Sequence, residues 1–135
     1  RIRILLLQPK VTKTTFYTMK KVYFLPSCST CSKIIKQLKL SGDFEMIDIK
    51  TTSITEEELE VMKDLSGSYE SLFSRRAMKY KSLGLKDKTL TEKDYKQYIL
   101  DEYTFLKRPV ILFEGQIFVG NSAKNVASAD AAING

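Results

Sequence analysis

The residues equipped for chemistry are Cys28 and Cys31, the only two cysteines of the 135-residue chain, standing three apart in Cys28-Ser29-Thr30-Cys31. In a helix that spacing puts both side chains on one face, within reach of a disulfide. The nucleophile in such chemistry is the thiolate, and an ordinary cysteine, with a pKa of roughly 8.5, is only a few per cent ionised at neutral pH. A helix N-terminus changes this, because its unpaired N–H groups and dipole favour negative charge and bring a Cys-x-x-Cys thiol to a pKa of about 7 or below. Cys28, at the first exposed position, is the expected nucleophile. Cys31, one turn further in beside Ile34 and Ile35, is the expected resolving thiol that releases a mixed disulfide. A buried structural cysteine pair and half of a zinc site are the competing readings. The zinc reading lacks ligands: there is no histidine and no further cysteine, where structural zinc takes four.

The elements around the pair must supply that helix start. Val22-Tyr23-Phe24-Leu25 reads as a short buried strand, Pro26-Ser27 as a turn, and about Cys28 to Leu40 as an amphipathic helix with Cys31, Ile34, Ile35 and Leu38 on its packed side. Ser41-Gly42-Asp43 should end it. Phe44 to Ile49 reads as a second strand, parallel to the first because a helix crosses between them. The middle is expected to be helical. Thr55 to Glu58 forms a capping box with Ile54 and Leu59 as its staple, and opens a helix to about Leu65. Ser66-Gly67-Ser68 breaks it, and a second helix is expected through Leu72, Phe73 and Met78 to Leu83-Gly84. A third starts at Thr91, with Asp94 at the box position, and continues past Tyr98 and Ile99. The tyrosines and methionines here read as core and rim packing. Val110 to Phe113, Glu114-Gly115 and Gln116 to Gly120 form a hairpin signature, and Asn121-Ser122 caps a small last helix whose end is expected to fray.

Composition narrows the class. Hydrophobic residues make up 43% and charged residues 28%, ordinary values for a folded domain. Residues 19 to 135 are expected to form one domain, with Met19 resembling an initiator and residues 1 to 18 an extension or flexible arm. That arm carries Arg1, Arg3, Lys10 and Lys13 and no acid; without these four cations the net charge falls from +6 to +2. The rest is mixed with acids along helices, with no distinct basic groove, which argues against direct nucleic-acid binding. A targeting segment is the other reading of the arm, whose apolar run is too short to span a bilayer. The lack of histidine removes Ser-His-Asp and Cys-His catalysis and His-ligated metal. Two cysteines cannot staple a secreted scaffold, so a reducing, cytoplasmic setting is expected.

The order β-α-β, helices, β-β-α, with Cys-x-x-Cys after the first strand and Pro109 before the third, resembles the thioredoxin and glutaredoxin fold. More narrowly it is similar to the ArsC and Spx/MgsR family. The matching stretches are Tyr23 to Leu38, Leu83-Gly84-Leu85, and Lys107-Arg108-Pro109-Val110-Ile111 through Phe118-Val119-Gly120-Asn121. The resemblance implies an α/β fold with a four-stranded mixed sheet, flanking helices and a helical insertion between strands 2 and 3. It implies a cis bond before Pro109, and it makes Arg108 the residue that stabilises the thiolate and grips an oxyanion or a glutathione carboxylate. Read without it, Arg108 is equally a surface arginine in a weak salt bridge. Ser29, Thr30 and Pro109 complete the expected substrate-binding set. Arsenate reductases of this family use three arginines, whereas Glu70 and Gly120 fall where the second and third should stand, so the arginine cluster is expected to be incomplete. Arg75-Arg76 is either the arginine of Spx-like members or a solvated helix face. Two functions follow. One is a monomeric thiol-dependent reductase of small-molecule or protein disulfides or of an oxyanion, with no bound cofactor or metal and with glutathione, glutaredoxin or thioredoxin as electron donor. The other is a Spx-like redox-sensing regulator that binds RNA polymerase.

Overall fold

The computed structural model describes residues 18–135, so the expectations for the basic arm up to residue 17 lie outside the described residues. A four-stranded sheet of order β2-β1-β3-β4 forms from β1 (Lys20–Phe24), β2 (Glu45–Asp48), β3 (Val110–Phe113) and β4 (Gln116–Val119). β1 runs parallel to β2 and antiparallel to β3, and β3 is antiparallel to β4. The sheet is therefore mixed, as expected.

Alternation along the central strands builds two cores. Val22 and Ile111 face one side, with Ile34 and Leu38 of α1 (Ser29–Leu38) and Val126 and Ala129 of α5 (Ala123–Asn134). Tyr23, Val110 and Leu112 face the other, toward α2 (Glu56–Ser66), α3 (Met78–Ser82), α4 (Glu92–Asp101) and the turns between them. A strand buried on both faces reads as a continuous apolar run, which is why 110–113 shows no polar residue. Tyr23 is buried and its hydroxyl donates to Glu58 Oε2 at 2.6 Å, tying β1 to α2.

The capping boxes at Thr55 and Thr91 close as expected, with Glu58 and Asp94 returning the bond to the cap N–H. Glu114 and Gly115 both have positive φ (47° and 85°), the geometry of a two-residue type I′ hairpin turn. Other expectations need correction. α1 ends at Leu38, where Lys39 takes the left-handed cap at φ 50°, so Ser41-Gly42-Asp43 lies beyond its end. β2 is an edge strand shorter than expected, with Glu45 and Met46 exposed. α5 runs to Asn134 rather than fraying early, and the Asn134 side-chain amide donates to Leu38 O at 2.7 Å, joining the ends of α1 and α5.

The largest correction lies in 70–84. In place of one helix there is a 3-10 turn (Glu70–Leu72), an extended step, and the five-residue α3. Tertiary pairing overrides helix propensity here. Phe73 forms an antiparallel bridge with Leu106, Ser74 N donates to Phe105 O (2.7 Å), and Lys107 N donates to Leu72 O (2.8 Å). The Phe73 ring is fully buried, with centroids 4.9 Å from both Tyr95 and Phe105. Met78, expected to pack, is 88% exposed.

Candidate active site

The turn after β1 delivers Cys28 to the start of α1. Cys28 N donates to Leu25 O at 2.9 Å, closing Leu25-Pro26-Ser27-Cys28, and the residue takes the extended N-cap conformation (φ −87°, ψ 107°). Cys28 is thus the cap rather than part of the first turn. It closes no side-chain cap hydrogen bond, and the first turn of α1 holds no acid. The N–H groups there stay available to a sulfur that takes on charge.

The two thiols are free, and their surroundings drive them apart. Burial resists ionisation of Cys28, but the N–H and thiol of Cys31, the charge of Arg108 and the N–H of Thr30 together hold its pKa below the usual thiol value. Cys31 is fully buried, and that desolvation, with the Cys28 sulfur beside it, outweighs the Leu25 backbone and Arg108 and pushes its pKa up to about 11. Cys28 is thus the thiol that ionises more readily, while Cys31 holds its proton to higher pH.

Cys28 opens into a cleft of about 370 Å³, within the size range of small-ligand sites. Four cations line it: Arg75 and Arg76 from the step before α3, and Lys107 and Arg108 from the approach to β3. Asn121 and Ser122, just before α5, also line it. Arg108 is no surface salt bridge. Its Nη1 donates to the carbonyls of Thr104 and Leu106, both at 3.1 Å, and it pairs with no carboxylate among the described residues. Its Nε is buried with no protein acceptor. A buried donor in that state costs free energy.

The arrangement corrects the sequence reading in several respects. Glu70 lies outside the cleft lining and pairs with Arg75 at 2.8 Å, Gly120 stands in the lining, and Arg75 and Arg76 join Arg108 there. Arg75-Arg76 lines the cleft from a turn before α3 rather than lying on a helix face. Lys107 was missed because nothing in its local sequence separates it from a solvated lysine. The bond before Pro109 is cis. Pro109 is buried, and its carbonyl accepts from Gly120 N at 2.9 Å. Pro109, Ser29 and Thr30 do not line the cleft; Ser29 and Thr30 are exposed as the first residues of α1. No group of three His, Cys, Asp or Glu side chains that could hold a metal occurs among the described residues, and no helix there is long and apolar enough to cross a membrane.

A thioredoxin-like sheet with a cysteine pair at the start of its first helix, a cis proline before its third strand and a basic cleft defines a class of thiol proteins. The ArsC family model matches residues 23–129, and the chain belongs to that family. Among solved structures it is similar to an ArsC-family related protein from Bacteroides fragilis, at 27% identity and a TM-score of 0.71 over 83% of this chain and 99% of that one. It is also similar to an arsenate reductase from Vibrio cholerae (22% identity, TM-score 0.67, 83% and 99% covered). A third, an arsenate reductase related protein from Brucella melitensis, gives 20% identity and a TM-score of 0.63 over 82% and 93%. The search of curated proteins finds no match.

Proposed function

We propose that the protein is a thiol-dependent reductase in which Cys28 is the nucleophile, Cys31 the resolving thiol and Arg108 the cation that holds the thiolate and its substrate. The observation that carries this reading is the ionisable Cys28 thiol opening into a cleft whose charged lining is entirely cationic. With a disulfide substrate, the Cys28 thiolate attacks one sulfur, the substrate S–S bond breaks and the other sulfur leaves as a thiolate. Cys31 then loses its proton, attacks the Cys28 sulfur and frees the second substrate thiolate. The substrate gains the two electrons that the cysteine pair gives up in forming Cys28–Cys31. Glutathione, or a dithiol protein of the glutaredoxin or thioredoxin type, reduces that disulfide by the same exchange. Three arginines and a lysine suit an oxyanion as well as a carboxylate-bearing disulfide, so arsenate, the substrate in the names of some structural relatives, belongs among the oxidants.

Steady-state NADPH consumption with glutathione, glutathione reductase and glutaredoxin tests this, offering arsenate and then a small disulfide to the parent and to Cys28→Ser. Turnover lost in the variant is the expected result. An inert parent would overturn the reductase reading. A parent that is inert while Cys28 still alkylates as a low-pKa thiol would favour the second reading, a Spx-like redox switch acting on RNA polymerase. That alternative is supported by the contact between Cys28 and a Cys31 packed fully in the interior, since oxidation there would alter core packing.

A further inference from the structure

The cleft's basic wall continues onto a surface that the chemistry of Cys28 does not use. We infer that this surface, centred on α3, is the docking site for an acidic protein that presents a disulfide to Cys28. The inference rests on the reductase reading and names its substrate class.

α3 buries none of its residues, and Met78 at its start is 88% exposed. This exposure does not come from a loose loop. Ala77 and Leu85 on either side are buried, the Tyr80 ring lies edge-on to Phe73 with centroids 6.0 Å apart, and Lys79 pairs with Glu102 at 3.0 Å. Met78 and Lys81, three apart on the helix, share a face. The fold thus holds a large flexible apolar side chain out toward solvent, and methionine and arginine are side chains enriched where proteins meet.

The charge around Met78 specifies the partner. From Arg75 to Lys88 the chain carries Arg75, Arg76, Lys79, Lys81, Lys86 and Lys88 against a single acid, Asp87. Arg75 and Lys79 are answered by Glu70 and Glu102, while Arg76, Lys81, Lys86 and Lys88 form no ion pair among the described residues. Arg76 belongs both to this surface and to the cleft that Cys28 enters. A partner that lays acids on the lysines and an apolar residue on Met78 therefore brings its disulfide to the cleft mouth. Opposite charge would also speed the encounter. A nucleic acid or a membrane would meet the charge but could offer Cys28 no disulfide.

The test compares two substrates under the glutathione-coupled assay: a peptide disulfide flanked by Asp and Glu, and neutral bis(2-hydroxyethyl) disulfide. The parent should prefer the acidic peptide, with a preference that shrinks as salt rises. The double variant Met78→Ser with Lys81→Glu should lose about tenfold in kcat/KM on the peptide and keep its rate on the neutral disulfide. Lys86→Glu alone should reproduce a smaller part of that loss. Equal losses on the two substrates, or an unchanged peptide rate, would overturn the docking site while leaving the reductase intact. A parent inert on both substrates would overturn the reductase reading itself. Binding is read separately with Cys28→Ser by fluorescence anisotropy of the labelled peptide. A single-stranded oligonucleotide or anionic phospholipid vesicles that bind more tightly than the peptide would give the surface to another partner and end the proposal.

Discussion

Cys28 and the arginines that line the same cleft, Arg75 and Arg76, reach their places by different physical routes. Cys28 is positioned locally: β1, a closed turn and the first turn of α1 follow one another within a dozen residues, and each is specified by its own sequence. Arg75 and Arg76 sit in a stretch with little regular structure of its own. Its start is held by Glu92 of α4, whose carboxylate accepts from the backbone N–H groups of Tyr69 (2.7 Å) and Glu70 (3.1 Å). Its middle is held by the backbone pairing of 72–74 with 105–107, and its end by Ala77 and Leu85 in the core. The placement of Cys28 thus depends on local structure and that of the cation wall on distant partners. The two should fail under different substitutions.

The largest effect is expected at the local end. Cys28→Ser should take disulfide reduction to background, a loss of more than about a thousandfold, without a change in fold. Cys31→Ser should leave the first exchange working and stop the second, so that a mixed disulfide between Cys28 and substrate accumulates in the mass spectrum. Reduction at the parental rate by Cys28→Ser would remove the basis for treating this segment as the reactive one.

Next in size is the substitution that removes the anchor of the other wall. Phe73 packs against Tyr95 and Phe105, with Tyr80 at its edge, and is completely buried. Phe73→Ala should cost about 3–5 kcal/mol, read from the urea midpoint, through lost transfer free energy and the cavity left behind. It should also lower kcat/KM for anionic substrates, because Arg75 and Arg76 follow directly on that anchor. A cost under about 1 kcal/mol would mean that the wall is held by something other than its packing.

The two thiols carry the comparison down to single protons. Arg108 is one of the groups that hold the Cys28 pKa low, so Arg108→Gln should raise it. Less thiolate at pH 7 should then slow iodoacetamide alkylation by roughly three- to tenfold. The alkylation profile of the parent should rise through an inflection below the ordinary thiol pKa for Cys28. Cys31, with its pKa pushed up to about 11, should stay protonated and unreactive across that window. The sign is fixed by the chemistry: a lowered thiol pKa means reactivity that survives further into acid. An Arg108→Gln profile that overlays the parent would assign the low pKa to the helix N-terminus and the Cys31 thiol without Arg108.

What was legible in the sequence follows the same division. The sheet, the hairpin, both capping boxes and the Cys28–Cys31 pair are written in short-range patterns, a period of two, a turn dipeptide or a box spacing, which the folded chain obeys. Arg108 was singled out on the family resemblance, and its hydrogen-bond partners are carbonyls rather than a carboxylate. Residues 70–84 were misread because their apolar spacing also suits a helix, and the deciding contacts come from Phe105, Leu106 and Lys107, more than thirty residues further along. Lys107 and the pair Arg75-Arg76 gather only through that pairing. Ser29 and Thr30, next to Cys28 in the chain, stay outside the cleft lining, and Thr30 reaches the thiol only through its backbone N–H.

The smallest predicted effect isolates stability from site geometry. Thr55 caps α2 through its side chain, accepting from Glu58 N at 3.0 Å, while Glu58 Oε1 accepts from Thr55 N at 3.1 Å. Thr55→Ala removes the acceptor for the Glu58 N–H and should cost about 1 kcal/mol of unfolding free energy. Glu58 also accepts from the Tyr23 hydroxyl, so the link from α2 to β1 survives the change. None of these groups lines the cleft, and the Cys28 alkylation rate should therefore match that of the parent. A lowered urea midpoint with unchanged thiol reactivity would show that the nucleophile's surroundings tolerate loosening elsewhere in the chain. A thiol that slowed together with the loss of the cap would instead make the helix start at Cys28 depend on α2, and the local route to the nucleophile would no longer be separate from the distant one.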